Sequence, residues 1–218
     1  MSELAGRRAF VTGGSSGIGA AAVAALRDAG ALVVAPSRAA CDVRDPVAVE
    51  RAVEGAAREL GGLDIVVAAA GLGRFAPTAE AAVDDVDEVM AVNFRGTFLV
   101  LRAALPHLLR SRGHAFVLAS IAALRPFPMS AAYCASKAAV RALAQVIAEE
   151  YRHRGVRVTT LVLGSVDTPF WDRAGGTELP RDRMLRAADV GRAIVTAAAI
   201  PAHASLDEIA LMPADGVL

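Results

Sequence analysis

Cysteine is scarce in this chain. The two present, Cys41 and Cys134, cannot make a disulfide framework and sit at no metal-ligand spacing, so a stapled secreted domain and a cysteine metal centre are both excluded. Four histidines, at 107, 114, 153 and 203, show neither HxxxH nor HExxH spacing, and no metal is expected. Surplus charge is also missing: 23 Lys plus Arg balance 23 Asp plus Glu, leaving no footprint for a phosphate backbone, so nucleic acid is not an expected partner. Mean hydropathy is high, at +0.43. Even so, Asp64, Arg95 and Arg102 cut the longest apolar stretches short of the roughly 18 charge-free residues of a spanning helix, and no membrane partner is expected. The first residues, Met1 to Arg8, contain no apolar core of a signal peptide, and the cytoplasm is the expected compartment.

What is present is an alternation of short apolar runs with helix-length periodic segments. The runs are Ala9–Thr12, Ala31–Ala35, Leu63–Ala70, His114–Ser120, Val156–Leu163 and Glu208–Met212. The helical segments between them are Ile18–Ala29, Val47–Leu60, Val83–Leu109, Ala131–Arg154 and Ala188–Ala199. Such βαβ repetition predicts an α/β fold, a doubly wound parallel sheet of Rossmann type, and 218 residues suit a single domain spanning 1–218. The least regular stretch, Thr168 to Arg186, follows a strand's carboxyl end and is expected to form a substrate lid over the ligand crevice.

Between the first strand and the first helix runs Thr12, Gly13, Gly14, Ser15, Ser16, Gly17, Ile18, Gly19. Glycines at that turn let backbone approach a pyrophosphate closely, and the helix's unpaired amides and positive dipole end then face the anion. The spacing is GxxxGxG, and it resembles the TGxxxGxG motif of the short-chain dehydrogenase/reductase family.

Tyr133 and Lys137 lie four residues apart near a helix start, which puts them on one face. Free Tyr titrates near 10, too high for proton transfer at neutrality. An ammonium about 4.5 Å away would favour the phenolate by roughly 3 to 4 kcal/mol at an effective dielectric near 20, so Lys137 is expected to lower the Tyr133 pKa. Ser120 ends the preceding strand and Asn93 lies inside the long helix. The four together resemble the Asn, Ser, Tyr, Lys tetrad of the same family. That resemblance implies hydride transfer between NADP(H) or NAD(H) and a carbonyl or secondary alcohol. In it, Tyr133 is the general acid or base, Ser120 holds the substrate oxygen, Lys137 binds the nicotinamide ribose, and Asn93 anchors a proton-relay water.

The resemblance further implies cofactor contacts at Gly13, Ser15, Ser16, Gly17, Ile18 and Gly19. It adds Asp42 and Val43 at the adenine, Ala68, Ala70 and Gly71 along the adenine ribose, and Val166 and Thr168 at the carboxamide. Ala68–Ala69–Ala70–Gly71 stands where the family usually carries NNAG, and Leu163–Gly164 where it carries Pro-Gly. Only about six residues separate strand two from Asp42, too few for the helix usually found there. Strand two ends in Pro36, Ser37, Arg38 with no carboxylate; Ser37 can donate to a 2′-phosphate and Arg38 can clamp it, which favours NADP over NAD.

Leu124, Phe127, Met129, Phe170 and Trp171 suggest a partly apolar substrate pocket. The expected partner is thus a small molecule with a carbonyl or hydroxyl group. A cofactor-sensing binding protein on the same scaffold is the alternative, and its expected mark, a broken tetrad, is absent. An epimerase or dehydratase of the extended relatives would need a larger C-terminal substrate domain. Phe94, Phe98, Leu99, Val100, Leu101, Leu105 and Leu108 exceed what one helix face can turn to its own sheet, and a homodimer or homotetramer through helices 83–109 and 131–154 is expected.

Overall fold

The computed structural model describes residues 3–174 and 180–216. In chain order its elements are β1 (Arg8–Thr12), α1 (Gly17–Asp28), β2 (Leu32–Val34), α2 (Pro46–Leu60), β3 (Ile65–Ala68), α3 (Val83–Val89), α4 (Gly96–Ser111) and β4 (His114–Leu118). Then follow α5 (Ala131–Tyr151), β5 (Arg157–Leu163), β6 (Val166–Asp167), α6 (Phe170–Ala174), β7 (Leu185–Arg186), α7 (Ala187–Ala199) and β8 (Glu208–Leu211). Six strands pair in parallel in the order β2-β1-β3-β4-β5-β8, and β6 and β7 form a small separate pair. The chain reverses direction at β1, between β2 and β3, so the crevice at this switch point opens at the carboxyl ends of β1 and β3.

Strand alternation builds the layers. Phe10, Val66, Ala68, Ala115 and Val117 face α2, α4 and α5 in one core, whereas Ala9, Val11, Ile65, Val67 and Phe116 face α1 and α7 in the other. On the second face α1 and α7 approach closely because residue 191 is glycine: a Cβ there would stand 2.8 Å from the Ala21 carbonyl oxygen. The N-terminus of α2 is set by Asp45, whose side chain accepts from the Val47 amide at 2.9 Å, with Pro46 just inside.

Three differences from the sequence pattern bear on the site. Strands two and three are shorter than expected, at Leu32–Val34 and Ile65–Ala68, and after Ala68 the chain leaves the sheet to line the crevice. Helix 83–111 is continuous, but Met90–Arg95 is wound as a π-helical turn, a local widening frequent at functional sites. The expected lid carries structure of its own: α6, a 3-10 turn at Arg181–Arg183, and β7 paired to β6; its residues 175–179 lie outside the described residues. Residues 35–45 hold neither helix nor strand, so three-residue β2 is the sheet edge and Leu32 is exposed. Val83–Ser111 is long and apolar enough to cross a bilayer; half of its apolar window is packed inside the protein.

Candidate active site

The crevice has a volume of about 350 Å³ and runs from the glycine loop to the rings of α6. Gly13, Ser15, Ser16, Gly17, Ile18 and Gly19 all line it. Two of the glycines are required by close approach. Gly13 has φ +70°, and a Cβ there would lie 2.9 Å from the Ala70 amide nitrogen; a Cβ on Gly19 would lie 2.2 Å from the Gly13 carbonyl oxygen. The turn thus brings backbone to backbone at the start of α1. Ser16, the residue before that helix, makes no side-chain cap, which leaves the first-turn amides turned toward the crevice.

Asn93, Ser120, Tyr133 and Lys137 converge on the other half. Ser120 follows β4, and its hydroxyl accepts from the Ala122 amide at 3.2 Å, fixing it at the head of a 3-10 turn. Its hydroxyl also lies near enough to the Tyr133 phenol to favour the ionised form. Lys137, one turn along α5 from Tyr133, donates from Nζ to the Leu118 carbonyl at 2.8 Å and lies 5.7 Å from the Tyr133 ring centre. Asn93 is placed by the π-helical turn and is buried. Its Oδ1 accepts from the Leu72 amide at 2.9 Å, while Nδ2 donates to the Leu72 carbonyl and to Ser136 Oγ, both at 2.9 Å. Ser136 in turn donates to the Tyr133 carbonyl at 2.8 Å. The Asn93 side chain therefore braces the loop after β3 against the first turn of α5, and its amide atoms are engaged by protein groups.

Burial within the crevice reverses one expectation, that Lys137 lowers the Tyr133 pKa. Burial pushes the Tyr133 phenol up to about 12, and the nearby Ser120 hydroxyl offsets this only in part. Burial likewise brings the Lys137 ammonium down to about 8. Lys137 does not lower the phenol here because its ammonium is turned to Leu118 and rings enclose the Tyr133 side chain: Phe75 and Phe170 each stand 5.6 Å away, centre to centre. Tyr133 is thereby held as a proton donor.

At the far end of the crevice, Arg38, Asp42 and Val43 contribute to the lining. Ser37 does not: its hydroxyl accepts weakly from the Ala40 amide at 3.4 Å on the exposed turn. Asp42 is paired with Arg44, whose Nη2 stands 2.6 Å from Oδ2, and this bond holds the carboxyl down at about 2. Ala70 and Gly71 line the crevice, whereas Ala68 is buried in the sheet. With the family's amide side chains absent there, the Ala70 amide has Thr12 Oγ1 as its acceptor at 3.5 Å. Val166 and Thr168 also line the crevice, and a Cβ on Gly17 would lie 3.2 Å from the Thr168 Cβ, so the loop after β6 rests on the glycine loop.

Several participants escape sequence reasoning. Ser136 could have been found, as the residue before Lys137 on a helix already singled out. Phe75, Arg44 and the Arg74–Glu88 pair (2.8 Å), which joins the loop after β3 to α3, lie where no periodicity marks them.

A glycine turn at the switch point of a parallel sheet, with Ser, Tyr and Lys at its side, defines the class of Rossmann-type oxidoreductases. The family profile described as short chain dehydrogenase matches residues 37–178. An uncharacterised oxidoreductase of Staphylococcus epidermidis is 32% identical over 232 residues, covering 98% of this chain and 100% of the relative. The D-threitol dehydrogenase of Mycolicibacterium smegmatis is 36% identical over 205 residues, covering 82% and 79% respectively. Among solved structures, a Burkholderia cenocepacia short chain dehydrogenase in complex with NADP superposes with a TM-score of 0.85 at 30% identity over 97% of this chain and 98% of that one. An alcohol dehydrogenase from the archaeon Thermococcus sibiricus, complexed with 5-hydroxy-NADP, gives a TM-score of 0.85 at 27% identity over 95% and 97%. The chain belongs to the short-chain dehydrogenase family.

Proposed function

We propose that this protein reduces a carbonyl compound to the corresponding secondary alcohol, and runs the reverse oxidation, with NADP(H) as preferred cofactor and NAD(H) as second choice. The observation that carries the reading is the convergence of Ser120, Tyr133 and buried Lys137 on one end of a crevice whose other end is a backbone-lined turn. The turn fits a pyrophosphate, since a Cβ at either Gly13 or Gly19 would strike backbone. Arg38 would meet a 2′-phosphate, and the NADP bound in the Burkholderia relative supports that preference.

When bound, the nicotinamide supplies or accepts the hydride. The rest falls to the chain. Tyr133 gives its phenolic proton, which burial keeps in place at neutral pH, to the carbonyl oxygen. Ser120 holds the same oxygen and stabilises its developing charge. Lys137 would offer N–H groups to the ribose hydroxyls and, as an ammonium 5.7 Å from the ring centre, favour the phenolate left after the proton has gone. Asn93 is the positioning residue that fixes α5 against the loop after β3. A cytoplasmic location goes with this reading. The test is a panel of ketones and alcohols with NADPH and NADH, followed at the absorbance of reduced nicotinamide. Turnover with neither cofactor on any ketone or alcohol would refute the proposal.

A further inference from the structure

The chain is poor in aromatics, with seven Phe, two Tyr and one Trp, yet half of them, Tyr133 included, form one ring cluster at the site. Resting on the functional reading above, we propose that the substrate half of the crevice is shaped for a carbonyl compound bearing a flat, uncharged aromatic group, with Trp171 as the specificity-determining residue on the crevice wall and Phe75, stacked against it, as the residue that positions it.

The rings come from three separate loops at the carboxyl end of the sheet: Phe75 after β3, Phe127 after β4, and Phe170 with Trp171 after β6. Phe75 is the hub. It meets Tyr133 edge-on at 5.6 Å and 70°, stacks with Trp171 at 6.2 Å and 18°, and lies 6.1 Å from Phe127. Backbone is given over to this assembly. Gly73 leaves room for the rings, because a Cβ there would lie 2.6 Å from Phe170 Cζ and 3.2 Å from Phe75 Cζ. Met129 adopts φ +65°, a left-handed conformation unfavourable for a side chain, and its carbonyl accepts from the Ala76 amide at 2.8 Å, which ties the Phe75 and Phe127 loops together.

Two polar groups of this wall, on Trp171 and Arg74, are already used. Trp171 Nε1 donates to the Val166 carbonyl at 3.0 Å, and Arg74 is bound to Glu88 at 2.8 Å and to Asp85 at 3.3 Å. A polyhydroxylated substrate would set its hydroxyls against ring faces and lose its water hydrogen bonds without replacement. An aryl group instead gains edge and stacking contacts, each pair giving about three- to tenfold in affinity.

Trp171 is the only tryptophan, so its emission reports on this wall directly. The NADP⁺-loaded protein is titrated with an aryl methyl ketone, with an aryl keto acid because exposed Arg173 also lines the crevice, and with a four-carbon ketose. The same three are then assayed for reduction by NADPH and by NADH. We expect saturable quenching by the aryl compounds, a KM for them at least about tenfold below that of the ketose, and loss of the difference in Phe75→Leu through KM rather than kcat. Preference for the ketose, or aryl ketones that leave Trp171 emission unchanged, would overturn the aromatic assignment while leaving the redox reading intact. Quenching without reduction by either cofactor would do the opposite.

Discussion

Lys137 gives a hydrogen bond to the Leu118 carbonyl, 2.8 Å from its Nζ, so the residue expected to act on a tyrosine is anchored to the strand behind it. That carbonyl is the main compensation in view for a buried ammonium whose pKa has fallen to about 8. Since the charged form does the work, kcat/KM for NADPH in carbonyl reduction should be level below pH 8 and decline above it, because this parameter follows groups of the free enzyme. Lys137→Arg, with a guanidinium that stays charged, should lose that limb in whatever activity remains. A wild-type profile that stays level to pH 10 would contradict the assignment.

Arg38 is exposed at the rim of the crevice. Arg38→Asp should reverse cofactor preference, since a carboxylate repels a 2′-phosphate and accepts from ribose hydroxyls. The ratio of kcat/KM for NADPH over NADH should fall at least about tenfold, the scale of one charge-assisted hydrogen bond. An unchanged ratio would make Arg38 a bystander.

His114 is fully buried at the start of β4, and burial brings its pKa down to about 3. Thr159 spends its hydroxyl proton on the Leu206 carbonyl and accepts from His114 Nε2 at 2.7 Å, which fixes the neutral ring. A depressed folded-state pKa means that the unfolded chain takes up the proton first as pH falls below 6.5. Stability present above that pH is then lost at roughly 1.4 kcal/mol per pH unit toward 3. Urea unfolding of the wild type should therefore lose about 2 to 3 kcal/mol more than His114→Gln between pH 6.5 and 4.5. Parallel losses would show that His114 does not titrate in this range.

The apolar excess of the long helix is smaller in the structure than in the sequence. Leu99, Val100, Leu101 and Leu108 are buried, and Phe94 and Leu105 pack partly against the same core, which leaves Phe98 exposed on α4 and Val146 on α5. A two-fold pairing of these helices is still expected to cover them. Light scattering should give two or four times 22.4 kDa, and Phe98→Glu should shift the mass downward. A wild-type mass of 22.4 kDa would contradict the pairing.

Much of this architecture was legible in the sequence because parallel strands buried on both faces read as unbroken apolar runs and α1, α2, α5 and α7 keep a 3.6-residue period. The glycine turn and the Tyr133–Lys137 spacing were legible for a similar reason: both are local. What escaped depends on contacts between distant segments. Nothing in the stretch Gly71 to Pro77 marks Phe75 as the hub of a ring cluster assembled from three loops. Asn93 could be located, but not the π-helical turn that aims it or its grip on Leu72 and Ser136. The direction of the Tyr133 shift failed for the same reason, because a charge estimate based on helix spacing contains no account of the rings that exclude water.

The most direct test is turnover by Tyr133→Phe alongside its cofactor binding. The ring still packs against Phe75 and Phe170 and only the proton is lost. NADPH should bind within a few-fold of wild type while kcat for ketone reduction falls by about 10² to 10⁴, the share of a general acid. A variant retaining more than about a tenth of kcat would show that the proton comes from elsewhere.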